Sequence, residues 1–326
     1  MKRVLVTGCN GYIGNNLVPK LRKQRLYLVG IDRQEKNQVD IDQFFLGDLN
    51  DESITKRALK DVDMVIHLAA AKDDWGQSER EYYRDNLDAT RTLIRLGKEQ
   101  DIKEWVFYST VSVMGSSKKA LDESATFNPM IAYGHSKAEA EKLFVSYSKA
   151  VPDAKVLTIR PSVVYGPNNP DNTNVYRLLD AIYHRRFIMI GRGKVIKTTS
   201  YIENMVEATI YLIERMKEGL EVYIYVDEPP LETGELVQQI YSLLGRKPAL
   251  PSIPLWVAAP LALIADAVAA LTKRDIPITS ARISKFCRTT NFDGTKIRKA
   301  GFIQPFSNEE ALEKTINWYL MTDERG

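Results

Sequence analysis

Short apolar runs alternate with stretches of helical spacing along the first half of the chain. Lys2–Val6 has strand length, Ile13–Lys23 has helical spacing, and Tyr27–Ile31 is again strand-like. Phe44–Leu46, Met64–His67, Glu104–Phe107 and Val156–Ile159 continue the strand series, with helical stretches at Glu52–Lys60, Asp85–Glu99 and Tyr133–Lys149 between them. Near-continuous apolar strands separated by amphipathic helices predict an α/β fold with a doubly wound parallel sheet, buried on both faces. After Pro167 the regularity fades, and prolines cluster at 229–230 and 248–260. Short helices are predicted at Val175–His184, Ile202–Lys217, Thr233–Leu244 and Glu309–Tyr319, with one strand at Val222–Val226. The expected division is a sheet domain over residues 1–167 and a smaller, mostly helical lobe over 168–326, with elements of about 200–226 returning to the sheet.

One stretch breaks the pattern. PLWVAAPLALIADAVAAL, residues 254–271, is apolar on every side and nearly long enough to span a bilayer. Pro260 interrupts it, and Asp266 would cost roughly 2.5–3.5 kcal/mol near a membrane centre. It is expected to form helical turns closing a substrate pocket or a core, without stable membrane insertion. A loose membrane contact or an apolar substrate is the alternative.

Composition narrows the class. The chain has 326 residues, 44% of them hydrophobic, enough for a large core. Lys plus Arg is 45 and Asp plus Glu is 42, a near balance that gives no electrostatic case for a nucleic-acid partner. Cys9 and Cys287 form no disulfide framework, so a reducing, cytoplasmic setting is expected. The run Met1–Val6 is too short for a secretory signal.

The first candidate chemistry lies in TGCNGYIG, residues 7–14, between the first strand and the first helix. Gly8, Gly11 and Gly14 permit a tight turn and close backbone approach, and the helix N-terminus offers free N–H groups to a pyrophosphate. Asn10, Tyr12 and Ile13 fall in the same turn. Asp32 ends the second strand, where a carboxylate accepts both hydroxyls of an adenosine ribose and repels a 2′-phosphate. NAD is therefore favoured over NADP, although the adjacent Arg33 pulls the other way. Asp48 and Leu49 follow the third strand, where an acid can accept from the adenine amine.

A second feature is YSTVSVMG, residues 108–115, a hydroxyl cluster at a strand end. Together with the glycine turn, Asp32, GDL at 47–49, HLAAAK at 67–72, Asn86, YGHSK at 133–137, RPSVVYGP at 160–167, TSYIENMVEA at 199–208 and FDGTKIRKAGFIQP at 292–305, it resembles the extended short-chain dehydrogenase/reductases. Within them the likeness is to the NAD-dependent epimerase/dehydratase family, and it covers almost the whole chain.

The resemblance implies a Rossmann-type fold and a set of roles. Tyr133 and Lys137 match the family's YxxxK pair. A four-residue step puts both side chains on one helix face, and a nearby ammonium lowers a phenol's pKa from its usual ~10. Thr110, five residues before Gly115, matches the family's active-site hydroxyl. Ser109 is expected near the cofactor and Ser112 in a local turn bond or against substrate. Leu68, Ala69 and Ala70 would pack on the cofactor, Lys72 would lie near it, and Asn86 would tie the strand ends together. Pro161, Val163 and Val164 would approach the nicotinamide, with Tyr165 on the substrate side. Arg192, Lys194, Lys197, Arg282, Lys285 and Arg288 are candidates for holding a substrate diphosphate.

Departures from the family pattern narrow the reaction. Its 4,6-dehydratases carry an Asp-Glu pair after the active-site Thr, and this chain has Val111 and Ser112. Dehydration is therefore not expected. Its nucleotide-sugar epimerases usually have Asn where Val163 stands, and often Arg near Thr199. The resemblance implies hydride transfer at one carbinol or ketone carbon. The expected substrate is a nucleoside-diphosphate sugar undergoing 4-epimerisation or 4-keto reduction, in a homodimer. The alternatives are a reductase of an apolar sterol-like or flavonoid-like compound, and a cofactor-sensing protein without turnover.

Overall fold

The computed structural model describes residues 1–35, 39–72, 78–247, 252–272 and 279–323, without the side chains at 267, 269, 270, 281, 282, 284, 285 and 323. Seven parallel strands form the central sheet: β1 (Arg3–Thr7), β2 (Tyr27–Asp32), β3 (Gln43–Leu46), β4 (Met64–His67), β5 (Glu104–Tyr108), β6 (Lys155–Pro161) and β7 (Gly219–Tyr225). Their spatial order is β7-β6-β5-β4-β1-β2-β3. Successive side chains of a strand point to opposite faces, and here both faces are covered. Val4 and Val6 of β1 join one core with the helices Tyr12–Arg22 and Ile202–Ile213, while Leu5 joins the other with Ala89–Glu99 and Ala132–Ala150. In β5, Trp105 and Phe107 lie on one side and Val106 and Tyr108 on the other. This two-sided burial explains why the strands read as unbroken apolar runs.

The direction of winding reverses between β1 and β4, which pair with Thr7 opposite His67. In such sheets the crevice outside the carboxyl ends at the reversal is the binding position. The strand expected at Val222–Val226 is Gly219–Tyr225 and pairs with β6. A parallel pair of short strands, Val163–Tyr165 with Thr199–Tyr201, was not predicted, because three residues carry too little periodicity. A π-helical turn, Tyr83–Asp88, precedes the helix Ala89–Glu99 within the stretch expected to be one helix.

Residues 255–272, expected as helical turns, form one continuous helix through Pro260. Only a narrow side is packed, with Ala258 and Ala262 against Ile283 of the helix Ser280–Cys287. Trp256 is 78% exposed, Leu263 65%, Ile264 63% and Leu271 85%, so this is no core helix. Among the described residues no helix is long and apolar enough to cross a membrane.

Candidate active site

The glycine turn closes on the strands around it. Gly8 has φ +66°, and its N–H donates to Ile31 at 2.8 Å. A Cβ on Gly8 would lie 2.8 Å from the backbone of Ala69, and one on Gly14 would lie 2.3 Å from the Cys9 carbonyl oxygen. These positions admit no side chain, so the helix start approaches the strand ends as closely as backbone allows. The helix Tyr12–Arg22 begins at Gly11 with no side-chain cap. Its first N–H groups and dipole therefore suit an anion. The cradle fits the pyrophosphate of a dinucleotide.

Asp32 stands beside this cradle. One carboxylate oxygen accepts from the Asn10 N–H at 2.9 Å and the other from the Gln34 N–H at 3.0 Å. Both bonds fix the carboxylate at the end of β2, as ribose recognition requires. Arg33 is held by two acids: it is bidentate to Asp85 at 2.7 and 2.8 Å, and it reaches Asp48 at 2.7 Å. The Asp85 carboxyl is pulled down to about 2, first by its bond to Arg33. The cation expected to oppose Asp32 is thus already neutralised locally. Asp48 also accepts from the Asn50 N–H and side-chain amide.

The helix Ala132–Ala150 carries Tyr133 and Lys137, the expected catalytic pair. Gly134 lets it pack closely: a Cβ there would lie 2.7 Å from the Ser112 carbonyl oxygen. Tyr133 and the turn Val111–Val113 that follows Thr110 are thereby brought together. Thr110 is buried and its hydroxyl oxygen accepts from the Ser112 N–H at 3.2 Å. Lys137 is buried with its ammonium nitrogen 4.2 Å from the Phe107 ring centroid. Burial pushes its pKa down to about 7, against the opposing pull of Glu141.

A buried polar chain supports this floor. Asn86 accepts from the Ala71 N–H at 2.7 Å and donates to Ser136 at 2.9 Å, joining the loop after β4 to the helix Ala132–Ala150. Thr90 donates to the Asn86 carbonyl at 2.5 Å, so His67 Nε2 must donate to Thr90 at 2.9 Å. His67 Nδ1 then accepts from Thr7 at 2.7 Å, and Thr7 accepts in turn from the Ala69 N–H at 3.2 Å. Burial, with Lys137 nearby, pushes the His67 pKa down to about 3, so the ring is neutral. The sequence reading quoted His67 without a role. Its signal was a polar residue ending an apolar strand.

Ser109 follows the strand β5, as expected. Its hydroxyl donates to Glu141 at 2.6 Å, and Glu141 is ion-paired with buried Arg160 at 2.5 Å. That hydroxyl is engaged in the scaffold beneath Thr110. Glu141 was also overlooked, although it stands four residues after Lys137 on the same helix face. Val111 is buried against Val113, Met114 and Phe292, so the position of the dehydratase acid is a core position here. Leu68 and Ala69 are half-buried and Ala70 and Lys72 exposed along the loop after β4. Pro161 is buried, and Val163 and Val164 are half-buried beside β6.

The expected substrate residues divide. Tyr165, expected on the substrate side, is buried at 2% exposure, with its ring 5.6 Å from that of Tyr201. Arg192 and Lys194 are exposed on the loop after Met189–Ile190. Lys197 donates to the Arg288 carbonyl. The Arg288 guanidinium lies 3.5 Å from the sulfur of Met130, three residues before Tyr133. Arg282 and Lys285 lie outside the described side chains. Among the described residues no His, Cys, Asp and Glu cluster forms a metal site.

The chain was also compared with known proteins. Over 321 residues the chain is 32% identical to the N-acetyl-alpha-D-glucosaminyl-diphospho-ditrans,octacis-undecaprenol 4-epimerase of Escherichia coli O157:H7, covering 97% of this chain and 94% of that one. It is 26% identical over 336 residues to the dTDP-D-glucose 4,6-dehydratase of Homo sapiens, covering 98% and 90%. The crystal structure of UDP-glucuronic acid 4-epimerase from Bacillus cereus in complex with NAD superposes with a TM-score of 0.78 at 20% identity, over 98% of this chain and 99% of that one. A model of the NAD dependent epimerase/dehydratase family matches residues 4–226, and with the coverage above the chain belongs to that family.

Proposed function

We propose that the protein is an NAD-dependent 4-epimerase of a sugar joined to its carrier through a diphosphate. The observation that carries this reading is the packing of the helix that bears Tyr133 and Lys137, through Gly134 and Ala138, against the turn after Thr110, with buried Val111 where a dehydratase needs an acid. Held by the glycine turn and Asp32, NAD supplies a hydride acceptor and, on return, a hydride donor. Tyr133 takes the proton of the C4 hydroxyl as that carbon is oxidised to a ketone. It gives the proton back after the ketone has presented its other face. Thr110 holds the same oxygen throughout. The Lys137 ammonium stabilises the phenolate of Tyr133 and is itself kept in place by Phe107 and the Asn86–Ser136 link.

NAD is preferred over NADP because Asp32 would repel a 2′-phosphate and Arg33 is committed to Asp48 and Asp85. The sugar proposed is an N-acetylhexosamine on a polyisoprenyl diphosphate, by likeness to the 32% identical relative. A nucleoside-diphosphate sugar is the second reading for the carrier. An apolar ketone is the alternative for the whole substrate, favoured by the aliphatic surface of residues 255–272. Incubation with a diphosphate-linked N-acetylhexosamine and no added cofactor is expected to yield the C4 epimer without net NADH change. Stoichiometric NADH consumption with a ketone, and no epimer, would replace the epimerase with a reductase.

A further inference from the structure

A cleft of about 500 Å³ lies between the helices Leu255–Thr272 and Ser280–Cys287. Its size falls within the ~300–1,000 Å³ usual for small-ligand sites. Leu255, Ala259, Ala262, Leu263 and Ile283 line it, together with Arg288. The hydroxyl of Ser280, also on the wall, donates to Asp266 and is therefore committed. Such walls give a nucleoside base nothing to bond, whereas they suit a hydrocarbon chain.

Arg288, on the same lining, has the opposite character. Its guanidinium reaches Met130, three residues before Tyr133, and Lys197 donates to the Arg288 carbonyl. A cation beside aliphatic walls matches an amphiphile with an anionic head. Leu263, also on the lining, and its neighbour Ile264 are exposed.

We propose that this cleft holds the first isoprenoid units of a polyisoprenyl carrier, with Arg288 binding the diphosphate that joins the carrier to the sugar. The proposal rests on the diphosphate-linked reading above and commits it to the lipid carrier. A long chain would leave the cleft over the exposed apolar face, which accounts for large side chains left uncovered there.

Calorimetric titration of the full chain with geranylgeranyl diphosphate, inorganic pyrophosphate and geranylgeraniol tests it without turnover. Geranylgeranyl diphosphate is expected to bind at least tenfold more tightly than either other probe. Ala259→Phe, which fills the cleft from an exposed position, and Leu263→Glu should each weaken that binding at least tenfold while leaving NAD affinity within twofold. Arg288→Met should weaken geranylgeranyl diphosphate and leave geranylgeraniol unchanged. Equal binding of pyrophosphate and the lipid diphosphate, or indifference to both cleft variants, would overturn the proposal. So would gel filtration in which Leu263→Glu splits a dimer, since the cleft would then be covered by a second copy. Lipid-diphosphate binding without epimerisation of any diphosphate-linked sugar would keep the cleft and sink the epimerase. Epimerisation of UDP-N-acetylhexosamine without lipid-diphosphate binding would do the reverse.

Discussion

The glycine turn at residues 7–14 and the helix pair at 255–287 are both built from small and apolar residues, yet they obey opposite rules. In the turn, a Cβ on Gly14 would come within 2.3 Å of the Cys9 carbonyl, so composition is dictated by contacts inside the fold. In the helix pair, Trp256, Ile264 and Leu271 point outward at 78%, 63% and 85% exposure, so folding leaves their identity open. A residue type fixed by internal packing reports on structure. A costly residue type that packing does not need reports on what lies outside the chain.

The largest effect expected from the packed region is chemical. Tyr133→Phe removes the group that moves the substrate proton and leaves the ring packed near Tyr82, 6.2 Å between centroids. Epimerisation should fall by roughly 10²–10⁴-fold with NAD binding retained, as measured by initial rates and cofactor titration. Unchanged turnover would remove Tyr133 from the mechanism.

Next comes the buried floor of the site. His67 has a pKa of about 3 in the folded protein against 6.5 as the ordinary value. Between these values the unfolded chain binds the additional proton, so stability is full above the higher value and is lost as pH falls toward the lower. The full difference is on the order of 5 kcal/mol. Urea midpoints taken from pH 7 to pH 4 should fall more steeply for wild type than for His67→Asn. Parallel slopes would mean that the ring is not held neutral by burial.

The two regions were also unequally legible in the sequence. The sheet, the glycine turn, Asp32 and the Tyr133–Lys137 pair could be read because local spacing fixes them: period 2, period 3.6, or a turn that excludes Cβ. His67, Glu141 and Arg160 could not, because their roles arise from partners far along the chain, Thr7 for His67 and Ser109 for Glu141. The burial of Tyr165 was not legible either, because a motif position does not reveal which face of a three-residue strand is buried. The sequence left the helix at 255–272 open between pocket and core, because apolar composition alone cannot separate a core helix from one whose partner lies elsewhere.

Gly14→Ala probes the turn directly. The added methyl must displace the Cys9 backbone, which costs about 1–3 kcal/mol when surroundings are tightly packed. Melting temperature and NAD affinity should fall together, because the same shift moves the helix N-terminus away from the pyrophosphate position. A wild-type melting temperature with intact NAD affinity would show that the close approach is not needed.

The smallest effect is expected on the other side of the comparison. Ile264→Glu and Leu271→Glu replace large apolar side chains that are mostly in water, and Glu is compatible with a helix. Each should change unfolding free energy by no more than ~0.5 kcal/mol, as is usual at exposed sites. By contrast, Leu93→Ala in the buried core should cost ~2–5 kcal/mol. Denaturant titration of the three variants side by side measures that ratio. If Ile264→Glu destabilised the chain as much as Leu93→Ala, the outer face would belong to the folding core. If it does not, seven or so large apolar side chains are retained at no folding benefit, and the reason for them must be sought in an apolar ligand.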